Sequence, residues 1–321
     1  MKFDKPVLFP PCAYQGGKQR VAKEIIDYIL FKENVVIRDN NILFFDLCCG
    51  SGAITIEFIN RGINPHSIIM CDISSWGKFW KSIGDGTFSI DKFNWYCNQV
   101  PKDKSQVQEF LKELSETSAD EDEEYKYLLL QAGAFGGKQI WKEQGKWQNT
   151  SFRRYWQPTA TSNRRSPVNP MQPSLETLRQ RVVDVANNCV GLTVIHNDIN
   201  YSLEKIKGTI SQNKNGVVYI DPPYRNTTSY NFDFGFEQFM RTLSSIVPYP
   251  VYVSEKEPLS AECIKLNYNG EKGGICGYKK NNHQEWLSMF RTKQEMCNIG
   301  QSIPQTEVNP TIKHKIFKEI Y

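Results

Sequence analysis

The feature that most constrains this 321-residue chain is an apolar run that feeds an acid directly into two prolines. Residues 216–221 (GVVYID) have the length and β-branched content of a buried strand. Pro222 and Pro223 lack the N–H that a sheet ladder uses, so the chain must leave the sheet there. Asp221, a free carbonyl and the ring of Tyr224 are thereby placed at the carboxyl edge of a sheet. Open α/β sheets bind their ligands at that edge. The alternative reading is a rigid turn with a partly buried tyrosine. A strand running into an acid, two prolines and an aromatic is an unusual way to build one.

Other strands and helices alternate around this one. Residues 41–47 (NILFFDL), 67–72 (SIIMCD), 193–198 (TVIHND) and 250–255 (PVYVSE) read as strands, and 286–290 add a last one. Val21, Ile25, Ile26 and Ile29 recur at helical spacing, and residues 53–60, 175–185 and 236–247 also read as helices. Apolar strands alternating with helices predict a mostly parallel, doubly wound, Rossmann-like α/β sheet. The alternation stops between residues 74 and 173. A structureless loop of that length is uncommon in a compact domain, so the stretch predicts an inserted recognition subdomain. The catalytic domain is then residues 1–73 and 174–321.

Charge is distributed unevenly in that insertion. Residues 109–124 hold eight acids and one lysine, a balance of −7, whereas residues 136–172 hold seven Lys/Arg and one acid, a balance of +6. Trp141, Trp147, Phe152, Tyr155 and Trp156 lie within the basic part. Cations interleaved with aromatics suit phosphate contact and base stacking. Lys138, Lys142, Arg153, Arg154, Arg164 and Arg165 are the candidate nucleic-acid contacts. A solvated face with some buried rings is the alternative. The whole chain carries only +4, which proves no such partner.

Nine cysteines without paired zinc-type spacing read as reduced core thiols, and the four histidines stand apart, so no metal is expected. No apolar run reaches the ~20 residues that span a bilayer, and the start of the chain has no signal-peptide core. A cytoplasmic protein without a membrane partner is the expectation.

A second motif concerns a nucleotide-like ligand. The strand ending at Asp46-Leu47 runs into Cys48-Cys49-Gly50-Ser51-Gly52 and then a helix. Glycines after a strand let the backbone approach a ligand closely. Asp72, at the end of the next strand, can accept both hydroxyls of a ribose. The G-x-G-x-x-G fingerprint is absent, which disfavours a dinucleotide. Asp221 and the Pro222 carbonyl can accept the two N–H donors of a planar amine, and Tyr224 can stack on its ring. Such an amine is a poor nucleophile because its lone pair is delocalised. Acceptors there favour the pyramidal nitrogen of a transition state.

In this order the motifs resemble the DNA-adenine methyltransferase (Dam) family of class I S-adenosylmethionine-dependent amino-methyltransferases. The resemblance covers about residues 14–255. Tyr14-Gln15-Gly16-Gly17-Lys18 resembles the family's amino-terminal cofactor motif, which implies that Tyr14 and Lys18 hold the methionine portion, with Lys18 facing its carboxylate. Residues 46–52 resemble the Gly-rich motif, implying cofactor roles for Asp46, Gly50 and Gly52, and Asp72 matches the ribose-binding acid. His196-Asn197-Asp198-Ile199 resembles the segment that holds the cofactor's adenine, with Asp198 as the site residue. Asp221, Pro222 and Tyr224 match the catalytic tetrapeptide, and residues 135–152 resemble the target-recognition hairpin. Departures are Cys48, where an aromatic is usual, and Ala13, where a basic residue is frequent.

The resemblance implies a site-specific enzyme, bacterial or phage-encoded. It would transfer methyl from S-adenosylmethionine to the N6 amine of a flipped adenine in double-stranded DNA and release S-adenosylhomocysteine. Methylation of adenine in RNA or of a protein glutamine amide is the rival chemistry. A non-catalytic nucleic-acid-binding subunit is the rival of another class.

Overall fold

A computed structural model describes residues 6–12, 16–35, 42–153, 173–210, 215–223, 235–266 and 285–299. In chain order the elements are α1 (Ala22–Lys32), β1 (Ile42–Leu47), α2 (Ala53–Asn60), β2 (Ile68–Cys71), α3 (Ser75–Gly84), α4 (Ile90–Gln99), α5 (Val107–Glu116), α6 (Glu123–Gly133), β3 (Trp141–Glu143) and β4 (Lys146–Gln148). They continue with α7 (Leu175–Asn188), β5 (Thr193–Ile195), α8 (Ile199–Thr209), β6 (Asn215–Ile220), α9 (Phe236–Ile246), β7 (Val251–Glu255), β8 (Cys263–Lys265), β9 (Trp286–Phe290) and α10 (Lys293–Cys297).

Seven strands form one sheet in the order β5-β2-β1-β6-β7-β9-β8. β5, β2, β1, β6 and β7 run parallel, and β9 is antiparallel to both β7 and β8. The expected Rossmann-like, mostly parallel fold is therefore observed. Strand order reverses between β1 and β6, which opens a crevice at their carboxyl ends. Their register pairs Leu47 with Ile220, so the Gly-rich turn and the Asp221 motif leave the sheet side by side. Asp221 N–H still reaches Leu47 O, at 3.3 Å.

Side chains alternate across each strand and build two cores. Phe44, Ile68, Met70, Val217 and Tyr219 face α1 and α2, whereas Phe45, Leu47, Ile69, Val218 and Ile220 face α8 and α9. This two-sided burial is why the strands read as continuous apolar runs.

Strand–helix alternation is missing from the sequence between residues 74 and 173, yet the described part of that stretch folds as α3 to α6 and the β3–β4 hairpin. α3 buries Trp76, Phe79, Trp80 and Ile83, the i, i+3, i+4, i+7 spacing of an amphipathic helix. Ser74 caps it by accepting from Trp76 N. α3 lies against β2 and β5, and Phe93, Leu128 and Leu129 join the same buried cluster as Phe44 and Ile25. One core therefore runs from the sheet into α4 and α6.

Leu128, fully buried in α6, tests that continuity. Leu128→Ala is expected to cost about 2–5 kcal/mol, with sheet and α6 unfolding in one calorimetric transition. Two separable transitions would show that the inserted helices form a unit of their own.

Candidate active site

The turn after β1 has a backbone that most residues resist. Cys48, Gly50 and Gly52 have φ of 59°, 49° and 73°. An added Cβ at Gly52 would lie 2.2 Å from Trp80 Cζ2. Trp80 supports this turn from α3, and its Nε1–H donates to Gly50 O at 3.0 Å. Gly50 N–H donates to Asp72 Oδ2 at 2.7 Å, while Ser74 donates to Oδ1 through its N–H at 2.8 Å and its hydroxyl at 2.5 Å. Asp72 thus joins the ends of β1 and β2, and its half-buried oxygens retain lone pairs for a ligand. Trp80 belongs to none of the sequence motifs, and its helical spacing with Trp76 and Ile83 is the one signal that marks it.

Asp46 is buried beneath the turn and accepts from Thr55 N at 3.2 Å and Thr55 Oγ1 at 2.7 Å, tying β1 to the first turn of α2. Burial pushes its carboxyl up to about 7 against the opposing pull of the Thr55 hydrogen bonds. The Cys48 and Cys49 thiols are also raised by burial, well above their usual range. Asp198 caps α8, with Oδ1 accepting from Asn200 N at 2.9 Å and Tyr201 N at 3.1 Å.

Across the crevice, Lys18 meets Asp221. Its Nζ donates to Asp221 Oδ2 at 2.7 Å and to Gly16 O at 3.0 Å, and lies 2.6 Å from Asp221 Oδ1. Lys18 is 3% exposed and Asp221 13%. Both carboxylate oxygens lie against the one ammonium. Burial raises the Asp221 carboxyl to about 7, the Lys18 ammonium opposes this, and the Glu285 carboxylate adds to it. Glu285 Oε1 stands 3.6 Å from Lys18 Nζ. Glu285 has no signal in the sequence, because only folding brings it across the chain to residue 18. A small recess between the two motifs is lined by Gly17, Lys18, Asp46, Cys49, Ser51 and Asp221, among others. Pro222 is buried. Tyr14 and Tyr224 lie outside the described residues.

The basic stretch differs from the sequence expectation. Arg153 is only 7% exposed and donates to Ala132 O, and burial lowers its pKa to about 10. Its guanidinium is thus turned toward the end of α6 rather than toward solvent. Lys142 pairs with Glu123 at 2.5 Å and Asp120 at 3.4 Å, so its charge is balanced locally by the acidic run. Trp147 and Phe152 are buried. Lys138 is exposed, as is Lys146, and Arg154, Arg164 and Arg165 lie outside the described residues.

The model of the D12 class N6 adenine-specific DNA methyltransferase family matches residues 14–247. The chain belongs to this family. A comparison with curated proteins finds no match. Membership places the reaction at the N6 amine of adenine in DNA, as expected, rather than at the rival RNA adenine or glutamine amide. Methyltransferases of this family use S-adenosylmethionine in general. No helix among the described residues is long and apolar enough to cross a membrane.

The raised Asp46 carboxyl sets a pH dependence of stability. Its folded value, about 7, exceeds the ordinary 3.8, so the folded chain holds a proton that the unfolded chain releases between those values. Stability from this group is complete below the lower value and is lost as pH rises through the upper one. Urea unfolding is expected to show Asp46→Asn losing less stability than the parent between about pH 5 and 8, by about 1 kcal/mol or more. An equal loss in both would show that Asp46 does not titrate there.

Proposed function

We propose that Asp221 and the Pro222 carbonyl accept the two protons of the N6 amine of an adenine extruded from the duplex. The observation that carries this reading is the Asp221 carboxylate itself, set at the carboxyl end of β6 beside the Gly-rich turn after β1 and held there by the Lys18 ammonium. Extrusion follows from the chemistry, because the amine is otherwise paired and stacked. Tyr224, next in sequence to the prolines, is the candidate stacking ring.

The Gly50–Gly52 turn, Asp72 and the recess beside Lys18 form the proposed S-adenosylmethionine site. Asp72 would accept ribose hydroxyls, and the left-handed turn admits the ligand close to the backbone. Tyr14 would contact the methionine portion and Asp198 the adenine end. S-adenosylmethionine supplies an electrophilic methyl group on a cationic sulfur. The site residues would hold the amine nitrogen in line with that methyl group, so that the N–C bond could form as the S–C pair returned to sulfur. The nitrogen then sheds one amine proton, for which ionised Asp221 is the nearest acceptor, and solvent removes it afterwards. Asp221 polarises the amine as positive charge develops on it, and the remainder is positioning.

We assign target recognition to the segment inserted between the two motifs. Phe135, 41% exposed, and the exposed Lys138 precede the β3–β4 hairpin, and the exposed Lys146 lies within it, which supports that reading.

Asp221→Ala is expected to abolish N6 methylation in a labelled-methyl assay while binding of S-adenosylhomocysteine survives in calorimetry. Methylation by that variant at the parent rate would refute the assignment. Only ionised Asp221 accepts from the amine, so kcat/KM is expected to climb as pH rises through about 7. Replacing both Lys138 and Lys146 with Ala is expected to weaken duplex binding and reduce its salt slope by about one for each phosphate no longer neutralised. A salt slope identical to the parent's would remove the hairpin from the interface.

A further inference from the structure

The active-site ammonium touches two acids, and only one of them belongs to the catalytic motif. Lys18 comes from the segment before α1, Asp221 from the end of β6, and Glu285 from the residue before β9. Glu285 is 4% exposed, and its backbone carbonyl accepts from Leu266 N–H at 2.9 Å, which fixes the start of β9. It lies beyond the matched residues 14–247, so family membership gives it no role.

A buried carboxylate next to a lysine is an energetically demanding arrangement unless it is compensated, because removing charges from water costs several kcal/mol per ion. With Lys18 and Asp221 alone the pair would be neutral. An ammonium seated wholly on Asp221 would compete with the substrate amine for the same oxygens. A second buried carboxylate beside the ammonium changes that balance. It leaves the three groups with a net negative charge as the substrate nitrogen becomes positive. We propose that Glu285 is a positioning residue that shares the Lys18 ammonium, and so keeps Asp221 able to accept from the adenine amine. This inference rests on the reading of Asp221 as the group that meets that amine.

Other groups facing Asp221 are Asp46 from β1, the Cys48 thiol from the turn and the Tyr219 hydroxyl from β6. Burial raises the thiol and the phenol well above their ordinary values, so both are neutral near pH 7. Asp46 titrates in the same range as Asp221, and it is the same in every variant compared, so a change in the limb reports on Glu285. The Glu285 carboxylate pushes the Asp221 value upward, so its removal must move the acid limb of the profile to lower pH.

The test is the pH profile of single-turnover methylation on a duplex substrate for the parent, Glu285→Asp and Glu285→Gln. The expected order of plateau rate is parent, Asp, Gln, with the Gln variant down about tenfold, less than the loss of a direct transition-state contact. The limb is expected to move acidward in the same order, by about half a unit or more in Gln. A merely structural role for Glu285 would lower melting temperature and leave the limb where it is. Parent-like rate and limb in Gln overturn the inference. Should Gln fail to fold, a folded Asp variant with parent-like rate and limb overturns it equally. Asp221→Ala is run alongside. If it stays active, the reading of Asp221 has failed. If it is inactive while Glu285→Gln behaves like the parent, the role of Glu285 alone has failed.

Discussion

The parallel pairing of β1 with β6 is the constraint on which the site depends. It sets Leu47 opposite Ile220, so two segments far apart in sequence leave the sheet one strand spacing apart. A one-residue slip would turn every side chain of β6 to the opposite face and carry Asp221 away from Lys18. The register is held because both faces are buried: Phe44 and Val217 pack in one core, and Phe45 and Val218 in the other.

Around that pairing the turn and the acid are kept in place by different means. The Gly50–Gly52 turn is braced from below by Trp80 and tied sideways to Asp72, so its left-handed backbone is fixed by neighbours. Asp221 is held by charge, with an ammonium at hydrogen-bonding distance and a second carboxylate beside that ammonium. Packing suits a surface that must match a ligand's shape. Charge suits a group that stays at a crevice without apolar neighbours to fix it.

The stretch between residues 109 and 153 shows how far composition can mislead about a surface. Its acidic and basic runs read as two opposed patches, and folding brings parts of them together. Asp120 and Glu123 take Lys142, Asp122 takes Lys92, and Ser75 at the start of α3 donates to Glu123. The acidic run therefore joins the helices to the hairpin and to α3, the helix that supports the Gly50–Gly52 turn. Much of the aromatic content of the basic stretch is core, as Trp147 and Phe152 show.

What the sequence by itself determined is what depends on neighbours along the chain. The alternation of strands and helices, the strand end at Pro222, the positive-φ turn near Gly52 and the acids closing β2 and β6 are consequences of local backbone chemistry and periodicity. The same spacing also marks α3, where Trp76, Phe79, Trp80 and Ile83 follow the helical repeat. What only the tertiary structure decided is which charge meets which. Arg153 turns inward to Ala132, Lys142 is balanced by acids from the preceding acidic run, and Glu285 reaches Lys18 from the other end of the described chain. Coulomb interaction and desolvation act through space, and their sign at a given residue is set only when burial and distance are.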